Sequence, residues 1–225
     1  MSITVNTQYS VSKFYRIPLY GLLYNWYAAV DERGIAPSGW HIPTKTEFET
    51  LVSYLGGSST AGGALKEVGT EHWQLGNTGA TNTSGFTLLG NGWRDNNNGT
   101  FFRYYWGYVW SSTSIYGPYK LGVGYSDAYS FISNSEDGNK LGSSIRYIMD
   151  NPNDWYDGMT IKDYDGNTYN TVKIGNQVWI KENVAVTHYN NGDSIPEVTD
   201  NAAWASLSTG ALCAYNNDWS DVFKS

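Results

Sequence analysis

Residues 168–180 carry an apolar pattern that they cannot bury by themselves. Asp165-Gly166 and Gly175-Asn176 are hairpin turn signals, and they frame Thr168–Ile174 and Gln177–Ile180. Val172, Ile174, Val178 and Ile180 fall at alternating positions, so two strands are predicted with this set facing one core. Two strands of that length are not stable alone in water. Residues 160–183 are therefore expected to pair with strands from the N-terminal part of the chain in one compact unit. No repeat of solenoid period is visible.

With 225 residues the chain can bury a sizeable core. It has 25 Gly, 10 Trp and 19 Tyr, and only 16% charged residues. This describes a loop-rich, aromatic-rich β protein whose polarity comes largely from Asn, Ser, Thr, Gly and Tyr. The same chemistry dominates antibody paratopes. The net charge of -7 disfavours nucleic acid as a partner, because phosphate binding needs clustered Lys and Arg. A single cysteine, Cys213, excludes an intrachain disulfide and a cysteine-rich zinc site; it is expected to be a small buried apolar residue. No apolar run approaches the roughly twenty residues of a membrane span, so no membrane insertion is expected. The first residues lack the basic start and apolar stretch of a signal peptide.

Residues 2–18 alternate weakly at Ile3, Val5, Tyr9 and Val11 and predict a leading strand or arm over 1–19. Leu22–Val30 is a continuous apolar run, a buried strand or a short helix. Thr44–Leu55 is the clearest helix: Thr44-Lys45-Thr46-Glu47 is a capping box, Phe48, Leu51, Val52 and Leu55 form one face, and Gly56-Gly57 ends it. A second helix is predicted from Ser59 through Val68; its Gly62-Gly63 pair weakens it on propensity, so packing must hold it. A third, short one runs over Asn201–Leu207, capped by Asp200. Asn151-Pro152-Asn153-Asp154 reads as a linker between a body over 20–150 and a segment over 151–225 that completes it.

His41, His72 and His188 are widely spaced, and no pair has metal-ligand spacing. Asp163, Asp165 and Asn167 imitate the start of a calcium loop, but Gly166 is misplaced and position twelve is Ile174 rather than Glu. A hairpin turn is the better reading, and neither metal nor cofactor is expected.

Several motifs occur together: Tyr20-Gly21-Leu22-Leu23-Tyr24-Asn25-Trp26-Tyr27-Ala28-Ala29, Gly39-Trp40-His41-Ile42-Pro43-Thr44, Ala61-Gly62-Gly63-Ala64-Leu65-Lys66-Glu67, Gly92-Trp93-Arg94, Trp110-Ser111-Ser112-Thr113, Ser144-Ile145-Arg146 and Cys213-Ala214-Tyr215-Asn216-Asn217-Asp218. As a set they resemble the Fibrobacter succinogenes major paralogous domain, a bacterial and phage domain related to the C-type lectin fold. That family opens with a stretch like Thr171-Val172-Lys173-Ile174-Gly175-Asn176-Gln177-Val178-Trp179, which here comes last. The resemblance implies an α+β, C-type-lectin-like fold with small mixed sheets, two main helices and long loops, circularly permuted. A slice of a tandem array, or a domain swap, would give the same pattern. The Glu-Pro-Asn element of calcium-dependent sugar binders is absent. One Cys cannot supply the paired thiols of the related formylglycine-generating enzymes, so a degenerate enzyme of that type is the weaker reading and a non-enzymatic protein the stronger.

The same fold group includes variable proteins of diversity-generating retroelements, among them phage receptor-binding tips. The resemblance implies a variable face over Asn96–Arg146, because such elements mutate adenines and Asn codons can become Tyr, Phe, Ile, Asp or Arg. The residues singled out for ligand binding are Asn96, Asn97, Asn98, Phe102, Arg103, Tyr104, Tyr105, Tyr108, Ile115, Tyr116, Tyr119, Tyr125, Asp127 and Asn134. Trp106 and Trp110 cannot be written from an Asn codon and are expected to be scaffold; Phe131 is expected in the core. The function implied is receptor binding at a phage tail tip, with a host cell-surface protein or glycan as partner and a homo-oligomer, a trimer in a tail tip, as the assembly. A bacterial surface or secreted domain with a fixed ligand is the alternative.

Overall fold

The computed structural model describes residues 17–136 and 138–224. The leading strand expected over 1–19 therefore lies almost wholly outside the described residues. In chain order the elements are β1 (Leu23–Tyr24), α1 (Trp26–Ala29), β2 (Trp40–His41), α2 (Lys45–Tyr54), α3 (Ser58–Leu65), β3 (Trp93–Arg94), β4 (Phe101–Phe102), β5 (Trp106–Ser114), β6 (Pro118–Gly124) and β7 (Ser130–Asn134). They continue with β8 (Ile148–Met149), β9 (Thr160–Lys162), β10 (Thr168–Ile174), β11 (Gln177–Ile180), α4 (Asn201–Ala205) and β12 (Leu212–Cys213). Among the described residues the architecture is mixed α+β, with four α-helices and several small antiparallel sheets. The largest sheet has the order β2-β8-β11-β10-β9, so three strands from beyond residue 150 pair with two from before it. A three-stranded sheet runs β5-β6-β7, and two-stranded pairs join β1 to β12 and β3 to β4.

The hairpin over 168–180 forms, but its apolar set does not face one core. Its two-residue turn pairs Ile174 with Gln177, Lys173 with Val178, Val172 with Trp179 and Thr171 with Ile180. Residues directly opposite each other share a face. Val172, Ile174 and Trp179 accordingly pack into a cluster with Phe48, Leu65 and Phe86, whereas Val178 and Ile180 pack into another with Tyr24, Trp110 and Tyr147. The sheet lies between two apolar layers.

Local chemistry sets the helix ends. The Thr44 hydroxyl accepts from the Glu47 N–H at 3.2 Å, and the Glu47 carboxylate accepts from the Thr44 N–H at 2.7 Å, completing the capping box. The second helix stops at Leu65, earlier than predicted, because Lys66 turns extended and Glu67 N–H donates to the Leu88 carbonyl at 2.9 Å. Its glycines are there for close approach: a Cβ on Gly62 would sit 2.6 Å from the Tyr129 carbonyl oxygen, and one on Gly63 would sit 2.3 Å from that of Gly79. The run at Leu22–Val30 divides at Asn25, whose side chain caps α1 by accepting from the Ala28 N–H at 3.0 Å. Asp200 caps α4 through the Ala203 N–H at 2.8 Å and places Trp204 in the interior. Cys213 is buried, and burial pushes its thiol up to about 12.

Two buried cations tie the parts together. The Arg146 guanidinium donates to Asn183 Oδ1 at 2.7 Å and to the carbonyls of Phe86 at 2.8 Å, Ile180 at 3.2 Å and Thr87 at 3.2 Å. Asn183 Nδ2 in turn donates to the Tyr20 carbonyl at 2.9 Å. The Lys66 ammonium donates to three carbonyls, those of Asp127 at 2.7 Å, Thr78 at 2.8 Å and Gly124 at 3.1 Å, which fixes the loops at the Gly124 end of β6.

Candidate binding face

The sheet β5-β6-β7 has an inner and an outer side. Val109, Leu121 and Val123 point inward onto α2 and α3 through the cluster around Phe48 and Leu65. Strand alternation sends Trp106 and Tyr108 of β5, Lys120, Gly122 and Gly124 of β6, and Phe131 of β7 to the outer side. The glycines form a floor under the rings. A Cβ on Gly122 would meet the Phe131 ring at 2.3 Å and the Tyr108 ring at 2.8 Å; one on Gly124 would meet the Trp106 ring at 3.0 Å. The aromatic side chains can lie down on the sheet only because β6 has no side chains there.

The β3-β4 hairpin extends this strip. Gly92 N–H donates to the Trp106 carbonyl at 2.9 Å, docking the hairpin beside β5. Gly92 has φ +67, and a Cβ there would lie 1.7 Å from the Phe102 carbonyl oxygen, so only glycine fits. The buried Asn91 side chain acts as a strand neighbour for β5: Tyr108 N–H donates to its Oδ1 at 3.0 Å, and its Nδ2 donates to the Tyr108 carbonyl at 2.9 Å. Five rings thereby come into continuous contact. Phe102 stacks on Trp93 at 4.6 Å, Trp93 meets Tyr108 edge-on at 5.5 Å, Tyr108 stacks on Trp106 at 6.0 Å, and Trp106 meets Phe131 edge-on at 5.5 Å. Phe102 is 42% exposed and the other four are half-buried. Burial pushes the Tyr108 phenol up to about 12, so it is a neutral donor.

The residues singled out in the sequence are divided among several places. Phe102 and Tyr108 belong to the strip. Tyr105 meets Tyr125 edge-on at 5.5 Å beyond the Trp106 end, where Tyr125 packs against the inner cluster; Asp127 follows in the β6–β7 turn, accepting from the Tyr129 N–H at 2.8 Å. Ile115, Tyr116, Tyr119 and Asn134 gather at the opposite end, where Asn134 Nδ2 donates to the Ile115 carbonyl at 2.9 Å and Tyr116 is 84% exposed. Asn96, Asn97 and Asn98 form the β3–β4 turn, with the Asn97 and Asn98 N–H groups donating to Asp95 Oδ1 at 2.9 and 3.1 Å.

Arg103 is not a surface donor. Its side chain is 8% exposed, paired with Asp221 at 2.6 Å, and lies 3.7 Å over the Tyr20 ring. Tyr104 is exposed beside it in a left-handed conformation, φ 70. Trp110 is fully buried, as expected of scaffold. Phe131 is not in the core, because the absence of a side chain at Gly122 gives its ring a place on the outer side. Sequence reasoning missed Trp93, Trp106, Lys120 and Phe131 as parts of a face. The signal was present: Trp106-Gly107-Tyr108 and Lys120-Leu121-Gly122-Val123-Gly124 alternate bulk against glycine on neighbouring strands.

Polar groups outside the strip are hydrogen-bonded in several clusters. A cleft of about 270 Å³ lies between Leu19, Glu67, His72, Lys181 and Glu182; in it Glu67 bonds His72 Nδ1 at 2.8 Å, and Glu182 accepts from the Asn170 N–H at 2.8 Å. His41 is held between Glu47 at 2.9 Å and Asp150 at 2.5 Å. Asp163 accepts from the Tyr169 hydroxyl at 2.6 Å and from both Asn167 nitrogens at 2.9 Å, in the turn of the β9-β10 hairpin. Among the described residues no group of three His, Cys, Asp or Glu is arranged to hold a metal, and no helix is long and apolar enough to cross a membrane.

Comparison with known proteins gives one family. No curated protein and no solved structure matches the chain. The sequence profile of the Fibrobacter succinogenes major domain matches residues 4–149. With a match over more than half of its 225 residues, including every strand that carries the aromatic strip, the chain belongs to the Fibrobacter succinogenes major domain family.

Proposed function

We propose that this chain is a non-enzymatic display domain that binds a cell-surface protein or glycan through the outer face of β3–β7, as the receptor-binding part of a phage tail tip. The observation that carries this reading is the strip of five contacting, partly exposed rings held on a glycine floor. Large apolar planes, fixed in position before the ligand arrives, lose little entropy on binding, and a contiguous exposed aromatic patch marks an interaction surface. The scaffold is read as C-type-lectin-like, in permuted order. Two features support that: β1 pairs with β12, and Lys224 N–H donates to the Ile17 carbonyl at 3.0 Å, so the two ends of the described chain lie side by side. In a tail tip the assembly would be a homotrimer, which sedimentation of the purified chain tests.

The experiment is adhesion of labelled protein to a panel of bacterial cells, wild type against Trp106→Ala and Phe102→Ala. Central aromatic anchors are worth about 2 kcal/mol, so adhesion should weaken about thirtyfold while the fold is kept. Unchanged adhesion by both variants would move the binding surface elsewhere.

One observation favours the fixed-ligand reading over a diversified one. Trp106 lies within the segment 96–146 and contacts both Tyr108 and Phe131 in the strip, and it cannot be written from an Asn codon by adenine mutagenesis. A bacterial surface or secreted domain with a constant ligand has no need of such variation. A reverse transcriptase and a near-copy of the segment coding for 96–146 beside the gene would restore the diversified reading.

A further inference from the structure

The outer face of β5-β7 ends at a cation. Lys120 lies between Trp110 and Ser133 in the strand register. On the Trp110 side the sheet is covered: that ring is fully buried, and its indole N–H donates to the Tyr24 carbonyl at 2.8 Å. On the Gly122 side the rings lie open. Lys120 stands at this boundary with Nζ 5.4 Å from the centre of the Tyr108 ring. Burial holds its pKa below the usual lysine value, and no carboxylate is among the groups that shift it. Among the described residues no carboxylate forms an ion pair with Lys120; a half-desolvated ammonium without a counter-ion is unfavourable, and one contact with an aromatic ring recovers only part of that.

The strip also keeps free donors. Trp26, Trp73, Trp110, Trp155, Trp204 and Trp219 each donate the indole N–H to a protein acceptor. Among the described residues, the indole groups of Trp93 and Trp106 make ring contacts and no hydrogen bond; Trp179 Nε1 also lacks a partner but is buried in the core, whereas Trp93 and Trp106 are half-buried on the outer face. Among the described residues, the face therefore combines apolar planes, unoccupied N–H donors beside them and an ammonium with no ion-pair partner at one end. A ligand that answers all three has C–H faces, many oxygen acceptors and a negative charge.

We propose that the aromatic face takes an anionic saccharide, with sugar rings lying on Trp93, Tyr108 and Trp106, their hydroxyls accepting from the indole N–H groups, and an acidic substituent meeting Lys120. This rests on the reading of the face as the binding surface. Carboxylate and sulfate substituents share the chemistry that Lys120 would recognise.

The test is calorimetric titration of the full chain with four probes: tetragalacturonate, a heparin-derived tetrasaccharide, neutral cellotetraose and hexaglutamate. The first or the second should bind about tenfold tighter than cellotetraose, the increment of a charge-assisted contact, and added salt should erode that margin. Which of the two binds tighter separates carboxylate from sulfate. Lys120→Met should abolish the margin by weakening the acidic probes, and Lys120→Arg should keep it; circular dichroism of both variants shows that the fold is retained. Trp106→Ala should weaken every saccharide. Equal affinity for acidic and neutral probes, an unaltered margin in Lys120→Met, tightest binding of hexaglutamate, or no saccharide binding at all would each overturn the inference. In any of these cases, loss of cell adhesion in Trp106→Ala would still leave the aromatic face as the binding surface.

Discussion

Replacing Arg146 by Met should remove about 3–5 kcal/mol of stability, as breaking a buried charged cluster does. The guanidinium is fully buried, and burial pulls its pKa down to about 9, so it is charged at neutral pH. Its acceptors are backbone carbonyls at Phe86, Thr87 and Ile180 and the Asn183 side chain. Met supplies comparable apolar volume but no donor. Each buried acceptor left unpaired costs about 1–3 kcal/mol, and relaxation or water entry lowers the sum toward the quoted range. Arg146→Lys should recover less than half, since a compact ammonium with three donors does not reproduce a planar fork aimed at four acceptors. The assay is urea unfolding at pH 7, followed by Trp fluorescence and far-UV circular dichroism. Because Arg146 joins residues 86–87 to residues 180–183, both probes should give one transition, shifted to lower urea with an unchanged slope. A loss below about 1 kcal/mol, or two separated transitions with the first confined to the β10-β11 hairpin, would refute the idea that this side chain holds the two parts as one unit.

Gly92→Ala places a Cβ 1.7 Å from the Phe102 carbonyl oxygen at φ +67; it should cost about 1–3 kcal/mol or more and change the near-UV aromatic spectrum as Trp93 and Phe102 leave the strip. His41 has its pKa raised by its bond to Glu47 and then by that to Asp150, against desolvation. A raised folded pKa gives stability that is complete below the unfolded value of about 6.5 and is lost as pH climbs through the folded value. The stability difference between wild type and His41→Asn should therefore shrink as pH rises, and a constant difference would contradict the pairing. Thermal melting with and without chelator should coincide, because Asp163 is occupied by Asn167 and Tyr169; a large drop with chelator would reveal a bound ion.

Much of the fold was readable where local chemistry decides it. The Thr44–Glu47 capping box, the Asp200 cap and the turns at Gly166 and Gly175 stand in the structure as the residues imply. The hairpin's parity was misread although the information was present, since a two-residue turn fixes which positions share a face. The early end of α3 was not legible, because it depends on Lys66 reaching carbonyls 12, 58 and 61 residues away. The aromatic face was half legible. Composition and resemblance point to the segment that carries the strip, but exposed bulk does not mark its members. The strip depends instead on the absence of side chains at Gly122 and Gly124 and on a hairpin docked through Gly92. Arg103 was misplaced for a similar reason: nothing near it in sequence announces Asp221 or Tyr20.

A ligand lying on the strip would be reported directly by the indole resonances of the ten tryptophans. With 15N-labelled protein, envelope fragments from cells to which the chain adheres can be titrated while the indole N–H signals are followed. Trp93 and Trp106 should shift or broaden first, with Trp26, Trp155 and Trp219 unchanged. Perturbation confined to those three, with Trp93 and Trp106 silent at saturation, would contradict it.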